Sequence, residues 1–217
     1  MPNWVTNKIE TSEKVVRAIM NDEGAIDFNE VLPFSGPNDS WTGIMSVAEL
    51  GAKILCKIPE HSHPLIARLE TAHRDRFDIR KLDDESLGQL FGMVENYRAC
   101  GYLHSMDFNR EAWGTKWNAC RQSVSPEAGR AEFDTAWNCP EPLLAELSRQ
   151  FPDETIDVVF AEEDIGSNCG RFTLKNGERI SEKIAPSWSE MSDQEKREWS
   201  AFAYEVTGRE PDPDEEE

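Results

Sequence analysis

The sequence predicts an α+β fold in which an antiparallel sheet carries helices packed on one face. Two segments between residues 112 and 138 alternate large apolar and polar side chains, which is typical of half-buried strands. Asn176-Gly177 lies between two strand-like runs and predicts a hairpin, because both residues tolerate positive φ. Apolar residues at helical spacing flank these strands, so helices are expected to cover the sheet.

The first half of the chain is predicted to mix short strands with helices. A strand over 4–9 leads into a helix that carries Val15, Val16 and Ile19. A second short strand is predicted over 28–34, where Pro33 would end it. Two further helices are predicted over 47–55 and 85–100, the latter with Gly101 as its C-terminal cap.

The second half is predicted to run strand, strand, helix, strand, hairpin strand, helix. The first two strands are expected over 112–121 and 131–138, and four aromatic side chains should line their buried face: Trp113, Trp117, Phe133 and Trp137. This order of elements predicts a ferredoxin-like C-terminal part. We therefore divide the chain into an N-terminal α/β part (1–108), a ferredoxin-like domain (109–209) and a disordered acidic tail (210–217).

The composition excludes several classes of partner. The 217 residues include 42 acidic side chains against 23 Lys and Arg, which gives a formal charge of −19. Such a surface repels duplex nucleic acid and anionic membranes. The N-terminus has no secretory pattern, and no apolar run reaches the roughly 20 residues that a membrane span needs. Five scattered cysteines without a C-x-x-C pair suit a reducing cytosol.

Six short segments, in order along the chain, carry a resemblance to a known family. The segments are Met1-Pro2-Asn3-Trp4, Asp27 to Pro33, Trp113-Gly-Thr-Lys-Trp-Asn118, Phe133 to Trp137, Leu147 to Pro152 and Phe160 to Asp164. Together they resemble the YubB-like proteins of phages and conjugative plasmids. The resemblance implies a ferredoxin-like domain and a cytoplasmic protein that a mobile element expresses in a bacterial host cell. It supplies no catalytic residue, because the family has no assigned activity.

Metal-binding and catalytic motifs are weak in this sequence. Cys56, His61, His63 and His73 come nearest to metal-ligand spacing, but they form no recognised ligand pair. Cys100 and His104 would need a turn to form a thiolate pair, and we interpret Cys100 as a core residue. The sequence therefore assigns no catalytic residue, no metal ligand and no cofactor.

Glu162-Glu163-Asp164 follows a predicted buried strand and is the candidate interaction surface. The C-terminal half, 109–217, holds 25 of the 42 acids, which favours a basic protein partner such as a DNA-binding host factor. We therefore predict a non-enzymatic protein-interaction module, with action as a decoy as one hypothesis. Two alternatives stay open. One is a metal-assisted enzyme that uses this cluster with His61 or His63, and the other is single-strand binding through sheet aromatics.

Overall fold

The computed structural model describes residues 2–211, which form two compact units. One unit is Phe34–Phe108, and the other combines the chain up to Pro33 with the chain from Asn109. The strands are β1 (Trp4–Glu10), β2 (Cys120–Ser125), β3 (Arg130–Ala136), β4 (Thr155–Glu162), β5 (Cys169–Lys175) and β6 (Glu178–Ile184). The helices are α1 (Glu13–Ala18), α2 (Ser46–Leu55), α3 (Pro64–Arg74), α4 (Asp84–Cys100), α5 (Ser105–Phe108), α6 (Glu141–Gln150) and α7 (Asp193–Thr207).

The six strands form one antiparallel sheet in the order β2-β3-β1-β4-β5-β6. The elements β1, α1, β2, β3, α6 and β4 follow the β-α-β-β-α-β order of a ferredoxin-like fold, and β1 lies between β3 and β4 as that fold requires. The hairpin of β5 and β6 extends the sheet beyond β4. The predicted α+β class and the ferredoxin-like fold are therefore confirmed.

Helices cover both faces of the sheet. On one face, Val5, Phe133 and Val158 are buried on neighbouring strands. The helix α6 lies on this side, because its Glu141 pairs with Arg179, whose guanidinium lies 5.1 Å from the Phe172 ring. On the opposite face, α7 packs on a second cluster: Ala161, Cys169, Met191, Trp199, Ala203 and Val206.

The sequence predicted helices on one face of the sheet only, whereas α7 packs on the other face as well. The end of β4, from Phe160 to Glu162, is buried on both faces, which the alternation in the sequence does not reveal. The helix α7 buries the second face of this part of β4.

The helical unit Phe34–Phe108 has its own small core. α2 packs on α4 around Ala52, Met93 and Leu103. The predicted helix over 85–100 is confirmed, with an N-cap from Asp83 and a left-handed Gly101 at its end. Its buried side carries Leu90 and Met93, whereas Phe91 is 55% exposed.

Two predicted strands are wrong. Residues 28–30 form a short 3-10 turn, which Asp27 caps by accepting a hydrogen bond from the Asn29 amide. The predicted strand over 112–121 begins inside a turn of π-helix that spans residues 109–113. Only its last two residues, Cys120 and Arg121, belong to β2. A left-handed Gly114 (φ 80°) interrupts any continuous extended run.

The two units differ from the division predicted at residue 108. That boundary is close to a real one, but residues up to Pro33 pack with the C-terminal part because β1 pairs with β3 and β4. The intervening 34–108 is an insertion between α1 and β2. Residues 212–217 of the predicted disordered tail lie outside the described residues.

Candidate interaction surface

One edge of the sheet collects most of the functional candidates. The start of β1, the ends of β3 and β4 and the start of β5 meet there, since Trp4 pairs with Ala136 and Val5 pairs with Glu162. Antiparallel pairing places these ends of the strands next to one another. We call the side chains Trp4, Trp117, Trp137, Glu163 and Asp164 at this edge the tryptophan edge.

The loop before β2 is fixed by hydrogen bonds of three side chains. The Trp113 indole N–H donates to the Leu32 carbonyl at 2.8 Å, and the Thr115 hydroxyl donates to the Ala136 carbonyl at 2.9 Å. Asn118 accepts from the Phe28 amide at 3.0 Å. These hydrogen bonds fix the backbone of the loop so that the side chain of Trp117 is exposed.

Trp117 takes part in a cluster of rings and cations. The centroid of the Trp117 ring lies 6.2 Å from that of Trp4. The Lys116 ammonium lies 4.6 Å from the centroid of the Trp117 ring. The Arg121 guanidinium lies 4.7 Å from the Trp4 centroid and forms a 2.6 Å ion pair with Asp134. Both cations are therefore held by contacts within the protein.

Trp137 follows β3 with a left-handed backbone (φ 72°) and a side chain 47% exposed. Its amide donates to the Asn3 carbonyl at 2.9 Å, and the Asn168 side chain donates to its carbonyl at 3.0 Å. The indole has no hydrogen-bond or ring partner among residues 2–211.

The prediction that four aromatics share one buried strand face is therefore wrong for two of them. Trp113 and Phe133 are buried, but Trp117 is 41% exposed and Trp137 is 47% exposed. A period of two places side chains on alternate faces only where the backbone stays extended, and Trp117 precedes β2 while Trp137 follows β3.

Strained backbone is concentrated at this edge. Five described residues other than glycine have positive φ, and three of them lie here: Arg121 (φ 47°), Trp137 (φ 72°) and Asn168 (φ 42°). A left-handed conformation costs roughly 1–2 kcal/mol for residues such as Arg and Trp, whereas Asn tolerates it. Such residues persist where the surrounding structure holds them, and they are concentrated at binding sites. The strain is thus a structural signal for this surface.

The predicted cluster Glu162-Glu163-Asp164 adjoins the tryptophans. Glu162 is 9% exposed and accepts from Asn168 at 2.8 Å, the same side chain that bonds Trp137. Glu163 is exposed and accepts from the Trp4 amide at 3.1 Å. Asp164 is exposed beside Ser167. The carboxylates of Glu162 and Glu163 thus help to hold the edge together, and we assign the cluster no catalytic role.

The sheet surface beyond the tryptophans is a polar groove of about 580 Å³ beside α7. Lys8 pairs with Glu132 at 3.6 Å, and Arg130 pairs with Glu10 at 2.5 Å. Asp157 and Glu205 also line the groove without a basic partner across it. The electrostatic balance of the groove is therefore acidic.

The predicted metal candidates do not form a common ligand set in the described structure. His61 and His63 are exposed, and the Nδ1 atom of His61 accepts from the His63 amide. Cys100 donates to the Asn96 carbonyl at 3.2 Å and makes no hydrogen bond to His104.

Glu49, His104 and Asp107 form a compact group of metal-ligating residue types in the helical unit. The Nδ1 atom of His104 accepts from the Asp107 amide at 3.2 Å, so a neutral His104 carries its proton on Nε2. The Nε2 atom lies 3.4 Å from Oδ2 of the Asp107 carboxylate. A ligating imidazole normally donates from its second nitrogen, so this tautomer opposes metal binding through Nε2.

A match to a family model supports the ferredoxin-like fold, and the descriptions of the matching proteins name no activity. Residues 112–206 match the family model described as the ferredoxin-like domain in Api92-like protein. The crystal structure of a protein api92 from Yersinia pseudotuberculosis aligns with 86% of this chain and 99% of that chain, at 11% identity and a TM-score of 0.39. Among curated protein sequences, none matches significantly. No described helix is long and apolar enough to span a membrane.

Proposed function

We propose that the protein is a non-enzymatic interaction module that binds a basic segment of a partner protein at the tryptophan edge. The observation that carries this proposal is the exposed, strained Trp137 beside the acidic cluster Glu162-Glu163-Asp164. Exposed tryptophan contributes strongly to protein interfaces. A residue that is both exposed and strained is costly to the fold, so binding is the best reason for its presence.

The chemistry of the edge selects a cation. An indole face attracts Lys and Arg, and the attraction is larger where carboxylates surround the ring. Lys116 and Arg121 already lie over Trp117 and Trp4, which leaves the Trp137 ring as the acceptor for a partner's cation. Glu163 and Asp164 then add a negative rim that steers a basic segment toward the ring.

Single-stranded nucleic acid is the second candidate, because Trp117 and Trp137 are exposed as stacking platforms are. Charge opposes it. Arg121 is held by Asp134, and the groove that continues the surface is lined by four acids against two bases. Phosphate binding needs a surplus of available Lys and Arg, so we favour the peptide.

The biological setting belongs to the same proposal. The YubB-like resemblance supports expression from a phage or plasmid in the cytoplasm of a bacterial host. A basic segment is the chemical feature by which DNA-binding proteins contact phosphate. An acidic, tryptophan-bearing surface that captures such a segment would keep it from DNA, which is the decoy hypothesis.

The test is fluorescence anisotropy with two labelled probes, a Lys/Arg-rich peptide of about ten residues and an oligothymidine of similar length. The proposal expects the peptide to bind with an affinity that falls as salt rises. Trp137→Ala and the pair Glu163→Lys with Asp164→Lys should each weaken peptide binding about tenfold or more.

Matched controls separate the edge from general charge. Asp153→Lys with Glu178→Lys makes the same charge change at the opposite end of the sheet, and Phe91→Ala removes an exposed ring from the helical unit. Both should bind the peptide within about twofold of the parent. Oligothymidine binding that Trp137→Ala abolishes, or peptide binding equal in all variants, would disprove the proposal.

A further inference from the structure

The groove beside α7 lies on the same face of the sheet as the start of the tryptophan edge. Side chains alternate between the two faces of a strand, so Trp4, Lys8 and Glu10 share one face of β1. Lys8 and Glu10 line the groove. An extended chain that leaves the edge at Trp4 can therefore follow β1 into the groove without changing face.

Strand register places two rows of side chains across the floor of the groove. In each row the residue on β1 lies opposite one residue on β3 and one on β4. The rows are Glu132-Lys8-Val159 and Arg130-Glu10-Asp157. Glu205 lines the groove from α7. The groove thus has a charged floor of three strands and a helix as its wall.

Four of the charges on this floor neutralise one another. The Lys8 ammonium lies 3.6 Å from the Glu132 carboxylate, and the Arg130 guanidinium lies 2.5 Å from the Glu10 carboxylate. Opposite charges on neighbouring strands stabilise a sheet in this way. Both bases of the groove are therefore engaged within the protein.

Two acids of the groove remain unpaired. Asp157 and Glu205 are exposed and form no ion pair with another described residue. Arg171 on β5 lies 5.7 Å from the centroid of the Phe202 ring and pairs with neither acid. Because both acids lie on the α7 side of the groove, its excess negative charge is concentrated there.

The position of Asp157 is electrostatically unfavourable in the free protein. Asp157 lies directly opposite Glu10 on the neighbouring strand, and like charges in that arrangement destabilise a sheet. Arg130 pairs with Glu10 and leaves Asp157 without a cation. The Thr173 hydroxyl donates to Asp157 at 2.6 Å but carries no charge. A cation from outside the protein would relieve this repulsion.

We infer that the groove is a second anchor for the basic segment that binds at the tryptophan edge. One cation of the segment lies at Trp137, and another lies between Asp157 and Glu205. The inference rests on the proposed function and adds how far the segment extends over the sheet. Four acids against two bases in the groove select a cationic occupant.

The two anchors fix the spacing of the cations in the partner. Asp157 lies six positions before Glu163, which is about 20 Å along a strand at a rise of about 3.3 Å per residue. An extended partner segment has the same rise, so its two basic positions should be six residues apart. Because six is even, both side chains point to the same face of that segment and reach the sheet.

The experiment measures fluorescence anisotropy with the full chain and two labelled peptides of the same composition. Each peptide carries two pairs of Arg among Ser and Thr. The pairs begin six positions apart in the spaced peptide and are contiguous in the close peptide. Asp157→Asn with Glu205→Gln should weaken binding of the spaced peptide about fivefold or more and leave the close peptide within about twofold. Trp137→Ala should weaken both peptides.

A matched control separates the groove from general charge. Asp153→Asn with Glu178→Gln removes two exposed acids near the same end of the sheet, and neither residue lines the groove. This variant should bind the spaced peptide within about twofold of the parent. Asn at position 157 still offers an oxygen to the Thr173 hydroxyl, so melting curves of the groove variant and the parent should coincide.

Two results would overturn the inference and leave the tryptophan edge intact, provided that Trp137→Ala weakens both peptides. One is binding of the spaced peptide that the groove substitutions do not change. The other is an equal loss for the spaced and close peptides, because spacing would then play no part. Loss of spaced-peptide binding with the groove substitutions but not with Trp137→Ala would support the groove and refute the edge. Absence of binding by either peptide would refute both.

Discussion

Replacing Trp137 by Gly and, separately, by Ala tests whether its backbone is strained in solution. In most positions Gly is less stable than Ala by roughly 0.5–1 kcal/mol, because it loses more chain entropy on folding. At φ 72° the order should reverse, since a Cβ in the left-handed region costs roughly 1–2 kcal/mol and Gly avoids that cost. The difference should leave Trp137→Gly more stable than Trp137→Ala by about 0.5–1 kcal/mol.

The loss of the indole is common to both variants and does not affect this difference. Complete burial of Trp makes its truncation cost about 3–5 kcal/mol, so a side chain 47% exposed should cost about half of that. Both variants should lose binding of the basic peptide. Trp137→Gly should therefore lose binding with a smaller loss of stability than Trp137→Ala, as expected where a strained residue is kept for binding.

Urea denaturation followed by far-ultraviolet circular dichroism measures the two free energies of unfolding. The control is the same pair of substitutions at Trp117, which is 41% exposed and has no positive φ. There Gly should be less stable than Ala. If Gly is also the less stable variant at 137, the left-handed backbone and the argument from strain are both refuted.

Three further predictions concern the core. Phe133→Ala should lower the free energy of unfolding by about 3–5 kcal/mol in urea titrations, because Phe133 is fully buried. Gly129→Ala should destabilise far more than Gly24→Ala, since a Cβ at Gly129 would lie 1.9 Å from the Thr11 carbonyl whereas Gly24 has open space and a similar φ; equal losses would exclude this close approach. Burial raises the pKa of the Cys169 thiol to about 11, so iodoacetamide near pH 8 should spare it in the folded protein and modify it in urea, as peptide mass mapping would show.

Elements with strong local signals were predictable from the sequence. The capping box Ser192-Glu195 begins α7, Gly101 ends α4 in the left-handed region, and Asn176-Gly177 forms the turn between β5 and β6. Each signal depends on residues close together in the chain. The position of β1 in the middle of the sheet depends on pairing with residues at least 120 positions away, and a local sequence pattern cannot indicate such pairing.

The candidate site was predicted only in part. Glu162-Glu163-Asp164 does lie at the edge of the sheet, beside the start of β1. The exposure of Trp137 and the part played by Asn168 were missed, because both follow from left-handed backbone that only tertiary contacts maintain. Asn tolerates that region, so Asn168 carried a weak signal, whereas nothing local indicates a left-handed Trp.

The distribution of charge gives a physical reason for a basic partner at the tryptophan edge. Residues 34–108 contain 11 acidic and 8 basic side chains, while the rest of the chain contains 31 acidic and 15 basic ones. The strongly negative unit carries the tryptophan edge and attracts cations over distances of about a Debye length, roughly 8 Å at physiological salt. Residues 34–108 are nearly balanced in charge and add little to that field. A partner that carries a basic segment would therefore be steered toward the unit that holds the tryptophan edge, because the larger field acts on it.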